Sequence, residues 1–219
     1  MELGSAADLR RRFRTGRPCL DLVHTGGDGE LARWEIVHAP ADLGRLLGVI
    51  LGLPALPAEE SDLAAMRPLR AAVTRIAYGL ALAAEPPPGA DPTPAHPVRV
   101  EIVRIASAVA GGSTPRPADV AVINEFAANP PLVRALRPGG GSTVVSPTVA
   151  AALATVARDA VDLFGGPLAG RVRMCAADDC GLLFVDTSRP GGRRWCSMER
   201  CGNRAKIRTH RARRGEPPT

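Results

Sequence analysis

Aromatic residues, lysine and long apolar runs are scarce in this chain. Phe, Trp and Tyr make up 3% of its 219 residues, so a core must be built mainly from Ala, Leu and Val, and Ala and Leu favour helices. The longest apolar stretch, 46–56, contains two glycines and a proline and is too short to cross a bilayer. Residues 1–14 lack the apolar segment of a secretory signal. The sequence therefore predicts a cytoplasmic protein with no membrane partner.

Familiar catalytic motifs are also missing. The chain has no GxxxxGK[ST], GxSxG or HExxH pattern, and His24, His38 and His96 lack the spacing of metal ligands. We therefore expect no enzyme. The simplest interpretation of His24 is a core or loop residue. The alternative is that His24, Asp21 and Trp34 line a small pocket.

Positive charge is concentrated near the C-terminus. The formal net charge is +6, but residues 171–219 carry twelve basic and five acidic residues, whereas residues 1–170 carry sixteen basic and seventeen acidic residues. A polyanion would therefore be attracted mainly to the C-terminal segment. Every basic residue except Lys206 is arginine, which reflects either phosphate and guanine recognition or a GC-rich genome.

Apolar periodicity and turn residues divide the chain into mostly helical segments. Two short apolar runs, 18–25 and 34–38, flank a Gly-rich turn and predict a β-hairpin. Six prolines predict an exposed loop over 85–97, and 139–142 reads as a turn between two extended pieces. The helices are predicted at 41–51, 61–84 (with Ser61 as its N-cap), 98–110, 118–128 and 147–164.

Four cysteines near the C-terminus form two C-x4-C pairs separated by fifteen residues: Cys175, Cys180, Cys196 and Cys201. Two such pairs can place four thiolates around one tetrahedral Zn²⁺. Thiolates would then fill every coordination position and leave none for a catalytic water, so the predicted zinc ion is structural. The fifth cysteine, Cys19, lies in an apolar segment and is predicted to be a buried core residue.

The order of elements around the cysteines resembles a treble-clef zinc finger. The sequence predicts a strand at 182–187, a turn at 188–192, a returning strand at 193–196 and a helix over 203–214. Phe184 and Trp195 are expected to form a small core, and Asp186 to accept hydrogen bonds from the turn or an arginine. The predicted fold class is thus α+β: a mostly helical N-terminal domain with a small β-hairpin, followed by a treble-clef-like four-cysteine zinc finger.

The helix predicted after the last cysteine is strongly basic, with no acidic residue between Gly202 and Gly215. Such a helix fits phosphate contacts through its Arg/Lys row, with Asn203 or Arg204 as the residues that would reach bases. The alternative is that nearby arginines neutralise the formal −2 charge of a zinc ion bound by four thiolates. The candidate nucleic-acid-binding residues are Asn203, Arg204, Lys206, Arg208, Arg211, Arg213 and Arg214.

The C-terminal segment resembles the CGNR zinc finger family, whose name motif stands here at Cys201–Arg204. Flanking residues match as well: CGLLFVDTSR from Cys180 and RRWCSM from Arg193. The segment from Gly16 to Thr25 and the residues APADL from Ala39 are similar to the ABATE domain, which is described as a stress-induced transcription regulator. The resemblance implies transcription regulation in a stress response.

The sequence therefore predicts two modules. Residues 1–168 would form an ABATE-like domain that senses a small-molecule effector or mediates association, and residues 169–219 a CGNR zinc finger with a basic helix that contacts DNA. A homodimer is expected, because one small finger reads few base pairs. The alternatives are a zinc-dependent protein-interaction module, an RNA-binding factor and, last, a ligand-modifying enzyme.

Overall fold

The computed structural model describes residues 3–13, 15–84, 97–207 and 214. Helices dominate, and two small antiparallel sheets accompany them. The α-helices are α1 (Ala6–Arg12), α2 (Pro18–Val23), α3 (Pro40–Leu51), α4 (Glu60–Ala83), α5 (Pro97–Ala110), α6 (Pro117–Ala128) and α7 (Val149–Phe164). The strands are β1 (Val133–Leu136), β2 (Ser142–Val145), β3 (Val172–Met174) and β4 (Leu183–Val185).

The hairpin predicted over 18–25 and 34–38 is wrong. The first run forms α2, and a 3₁₀-helix at Gly29–Trp34 precedes residues 35–38, which form no strand. Pro18 occupies the first turn of α2, where a missing N–H costs nothing. Residues 19–23 are all buried. A short run that is buried all round has no periodicity to distinguish strand from helix.

The long helix α4 is the centre of the fold and contacts α2, α3, α5, α6 and α7. The other predicted helices agree with α3, α5, α6 and α7 within two residues. Ser61 does not cap α4; the helix begins one residue earlier, and the Asp62 carboxylate accepts the N–H of Glu59 at 2.9 Å. Cys19 is fully buried in the apolar core, as predicted.

The predicted turn at 139–142 is confirmed as the connection between β1 and β2. Arg134 pairs with Val144, and Gly139, Gly140 and Gly141 all have positive φ, a region that glycine enters without steric cost. The side chain of Leu136 is 88% exposed. This hairpin is the small β element of the helical region.

The second sheet joins the cysteine-rich segment to the helices. β4 pairs with β3, and the predicted strand at 193–196 is wrong, because those residues form no ladder. Val172, Leu183 and Val185 lie in the same apolar cluster as the helices. The N–H of Leu183 also donates to His24 Nε2 at 2.9 Å. The finger therefore shares a core with the rest of the chain.

Among the described residues, no helix combines the length and apolarity needed to span a bilayer. The loop predicted at 85–97 lies outside the described residues except for Pro97, which begins α5.

Candidate metal centre

The four paired cysteines converge on one buried point. Their sulfur atoms all lie within 4.8 Å of one another. Cys196 Sγ is 3.9 Å from Cys180 Sγ and 3.6 Å from Cys201 Sγ. Four sulfurs placed tetrahedrally about 2.3 Å from a zinc ion would be about 3.8 Å apart. Donor type, number and spacing therefore fit a structural zinc ion, and these separations are too long for disulfides.

Backbone hydrogen bonds hold the first cysteine pair at the open end of the β3–β4 sheet. Cys175 donates its N–H to the carbonyl of Leu182 at 2.8 Å, and Cys180 donates to Ala177 at 3.1 Å. A side chain at Gly181 would meet Ile102 of α5, since a Cβ there would lie 2.9 Å from Ile102 Cγ2. Gly181 therefore permits close contact between this turn and α5.

The second cysteine pair is held by a short π-helical turn, Met198–Gly202. Ser197 caps it by accepting the N–H of Arg200 at 3.1 Å. The backbone carbonyl of Ser197 accepts the N–H of Cys201 at 3.1 Å. Cys196 donates its N–H towards Cys175 Sγ at 3.4 Å, an interaction that stabilises a thiolate. The described part of the predicted basic helix continues from this turn through 203–207.

The small core beside the cysteines is as predicted. Phe184 is fully buried against the sulfurs, and Trp195 packs against the same cluster. The carboxylate of Asp186 accepts the N–H and hydroxyl of Ser188 at 2.9 and 2.6 Å, and the N–H of Arg193 at 2.9 Å. Asp186 therefore fixes the turn that leads to the second cysteine pair.

Two arginines of the finger are occupied by internal contacts. Arg193 donates to the carbonyls of Trp195 (3.0 Å) and Cys196, and its guanidinium lies 4.5 Å from the centre of the Phe184 ring. Arg204 donates to the Asp179 carboxylate at 2.7 Å and to Cys201 Sγ at 3.5 Å. The hydrogen bond to the sulfur raises the pKa of Arg204 further. Arg204 thus contacts a cysteine sulfur, as the charge-neutralisation alternative expects, whereas Arg193 contacts carbonyl oxygens and a ring.

Other polar side chains of the finger face solvent. Asn203 and Lys206, both predicted contacts, are exposed, as are Arg189 and Arg200. Within the described part of the chain, no acidic group pairs with Arg189, Arg200 or Lys206. Arg214 is exposed as well. The predicted contacts Arg208, Arg211 and Arg213 lie outside the described residues.

Arg99 of α5 is a functional residue that the sequence did not reveal. It donates to the carbonyl oxygens of Cys175 and Cys180, so a residue outside the cysteine motif braces the first cysteine pair. Burial lowers the pKa of Arg99. An arginine on an amphipathic helix, 76 positions before Cys175, gives no sequence signal of such a contact.

A cavity of about 910 Å³ lies between the helices and the finger. His24 and Trp34 line it, whereas Asp21 does not and instead accepts the Thr15 hydroxyl at 2.8 Å. The Arg70 guanidinium braces the loop that forms one wall by donating to Thr25 and to both carboxylate oxygens of Glu35. Two of the three residues expected to line a small pocket therefore line a cavity, but this cavity is larger and lies against the finger.

Comparison with known families agrees with this geometry. Residues 171–214 match the CGNR zinc finger. Residues 16–94 and 77–167 match the ABATE family, described as "putative stress-induced transcription regulator". No curated protein matches the chain. Because the ABATE match covers more than half of the sequence and the cysteine geometry fits the finger, the chain belongs to the ABATE family and ends in a CGNR zinc finger with a structural zinc ion.

Proposed function

We propose that this protein is a DNA-binding transcription regulator in which the zinc finger contacts the phosphate backbone. The observation that carries the proposal is a group of exposed cations on the finger that have no acidic partner among the described residues: Arg189, Arg200 and Lys206. Phosphate contacts by such cations release counterions from the duplex and supply much of the affinity for DNA.

The proposal divides the basic residues into two groups. Arg193 and Arg204 make internal contacts, so we assign them to positioning the cysteine turns. Lys206 and the basic residues 208–214 are assigned to phosphates, together with Arg189 and Arg200. Asn203 is exposed at the start of the helix and is the candidate for a base contact, because its amide can both donate and accept.

The zinc ion has a structural role in this proposal. When bound, it would link the two cysteine turns, and with four thiolates there is no open position for a reacting water. Residues 1–168 would carry the regulatory part, either by sensing an effector or by association. We further propose a homodimer, since two fingers would read a longer site than one.

The salt dependence of binding to a random-sequence duplex tests the proposed function. For the full-length zinc-bound chain we expect log K against log salt to have a slope of roughly −3 to −5. Lys206→Gln and Arg200→Gln should each reduce that slope by about 0.9. Arg67→Gln is the matched control, because Arg67 is an exposed arginine of α4 and not part of the finger.

Three outcomes would contradict the proposal. The first is no binding at low salt. The second is an equal effect of Arg67→Gln and Lys206→Gln, which would mean that net charge alone matters. The third is a strong preference for single-stranded or structured RNA, which would indicate an RNA-binding factor instead.

A further inference from the structure

The cavity between the helices and the zinc finger has walls from both parts of the chain. Tyr78 of α4 and Ile102 of α5 line one side, and Cys180, Gly181 and Leu182 line the other. A molecule bound there would touch the helices and, at the same time, the turn between Cys175 and Cys180, here called the first cysteine turn. Its binding would therefore depend on how the finger is placed.

Size and composition suit a small organic molecule. About 910 Å³ lies within the range of roughly 300–1,000 Å³ that is typical of small-molecule sites. The walls are mainly apolar, as such sites usually are. The apolar lining includes Val23, Leu31, Trp34, Val98, Ile102 and Leu182.

Tyr78, one of the residues that line this cavity, carries a hydroxyl group. Tyr78 is only 9% exposed, and no described residue makes a hydrogen bond with its hydroxyl. Burial raises the pKa of Tyr78 to about 12, so the group is a neutral donor. The Tyr78 oxygen is not one of the fully buried polar atoms that lack a partner, so it keeps some accessible surface. The hydroxyl can therefore donate a hydrogen bond to a polar atom of a ligand.

Arg200 is a positively charged residue at the cavity wall, whereas the other charged residues there have partners among the described residues. Arg33 pairs with Glu101 at 3.5 Å, and Asp179 pairs with Arg204 at 2.7 Å. The Asp8 carboxylate accepts the N–H and the hydroxyl of Ser5, the N-cap of α1. Arg200 also lines the cavity, and among the described residues it has no acidic partner. An anionic group of a ligand would therefore pair with Arg200.

We propose that this cavity binds an apolar organic anion, with its body against Trp34 and Ile102, a polar atom at the Tyr78 hydroxyl and its charge at Arg200. Arg200 is also assigned to phosphate contact above, so the bound anion would compete with DNA for it. Only this regulatory role rests on the proposed function; the binding itself does not.

Two dyes with the same ring systems test the binding. The full-length zinc-bound chain is titrated with anionic 1-anilinonaphthalene-8-sulfonate and with neutral N-phenyl-1-naphthylamine, and fluorescence is measured. We expect each dye to saturate at one site per chain. Val98→Trp, which replaces a small side chain at the cavity wall with a large ring, should weaken the binding of both dyes tenfold or more. Val120→Trp is the matched control, because Val120 is an exposed valine of α6 that does not line the cavity.

The charge assignment has its own comparison. Arg200→Gln should weaken the sulfonate several-fold and leave the neutral dye unchanged, whereas Arg189→Gln, at an exposed arginine outside the cavity, should change neither. The proposal is overturned if neither dye saturates, if Val98→Trp binds like the unmodified chain, or if Arg200→Gln affects both dyes equally.

Amide hydrogen exchange separates the ligand site from the regulatory role. The sulfonate should slow amide exchange in 176–183, which covers the first cysteine turn and the residues just after it, and leave exchange in the β1–β2 hairpin unchanged. Equal protection of both segments would contradict specific binding. If the sulfonate also lowers duplex affinity, and does so only while Arg200 is present, it acts as an effector. If the dye results hold but no variant binds duplex, the ligand site stands and the proposed function fails.

Discussion

Arg99 Nη1 donates to the carbonyl oxygen of Cys175 at 2.6 Å and to that of Cys180 at 3.2 Å. One guanidinium thus bridges both ends of the first cysteine turn, and it comes from α5 rather than from the finger. The cysteine motif alone does not complete the zinc site, because a helix of the ABATE region fixes the backbone of one of its two cysteine pairs.

Removal of this brace should loosen the zinc site without changing its ligands. A hydrogen bond from a charged group contributes about 1.5–3 kcal/mol, so we expect Arg99→Gln to lower zinc affinity by about tenfold or more. The measurement is competition with a chelator of known affinity. Arg104→Gln is the control on the same helix, because Arg104 is exposed and pairs with Glu30 and Glu101. Equal zinc affinity for the two variants would show that Arg99 has no special part.

Loss of one zinc ligand should unfold the finger and leave the helical core largely intact. Structural zinc in small fingers contributes roughly 10–16 kcal/mol of apparent binding free energy. Because Cys196→Ser removes one of the four ligands, we expect its zinc content to fall from one ion per chain to near zero. Cys19→Ala should keep its zinc, because Cys19 is buried in the helical core away from the cluster. Metal analysis after gel filtration checks both variants. Retained zinc in Cys196→Ser would mean that another group completes the site.

The same substitution at two arginines of the finger should affect different properties: stability at Arg193 and DNA binding at Arg189. Arg193→Gln removes contacts to two carbonyls and to the Phe184 ring, and we expect it to destabilise the finger by about 2 kcal/mol. Arg189→Gln should change stability by no more than about 0.5 kcal/mol and should reduce the salt slope of duplex binding. Thermal unfolding and the salt titration measure the two effects. If both variants unfold at the same temperature, the structural assignment of Arg193 is wrong.

Buried Asp21 should make stability fall as pH rises. Burial raises the pKa of Asp21 from 3.8 to about 6, so between those values the folded chain holds a proton that the unfolded chain has lost. The unfolding free energy should therefore decrease across about pH 4–6, by roughly 3 kcal/mol at most, and this contribution should be constant above that range. Asp21→Asn keeps an acceptor for Thr15 and removes the charge. Its stability relative to the unmodified chain should rise through that window in denaturant titrations. If the difference in unfolding free energy between Asp21→Asn and the unmodified chain does not change with pH, the raised pKa of Asp21 is wrong.

The helices were predictable because their apolar residues recur at helical spacing and their ends carry local signals. α7, for example, begins after Thr148, whose hydroxyl accepts the N–H of Ala151, and ends at Gly165. Local signals failed at α2, where Cys19, Leu20, Leu22 and Val23 are all buried, and at 193–196, where β4 found a partner in β3 instead. In both cases the outcome depended on which distant surface covered the segment.

The sequence by itself determined the zinc ligands and the position of the charge. Four cysteines at this spacing have few other uses, and their chemistry does not depend on the rest of the fold. Only the tertiary structure decided which arginines serve the finger and which remain exposed, since the difference between Arg193 and Arg189 lies in carbonyl groups within reach. It also decided the cavity and the contact of Arg99 with the first cysteine turn. Both join residues far apart in the chain, and no local pattern encodes a contact whose two halves meet only after the chain has folded.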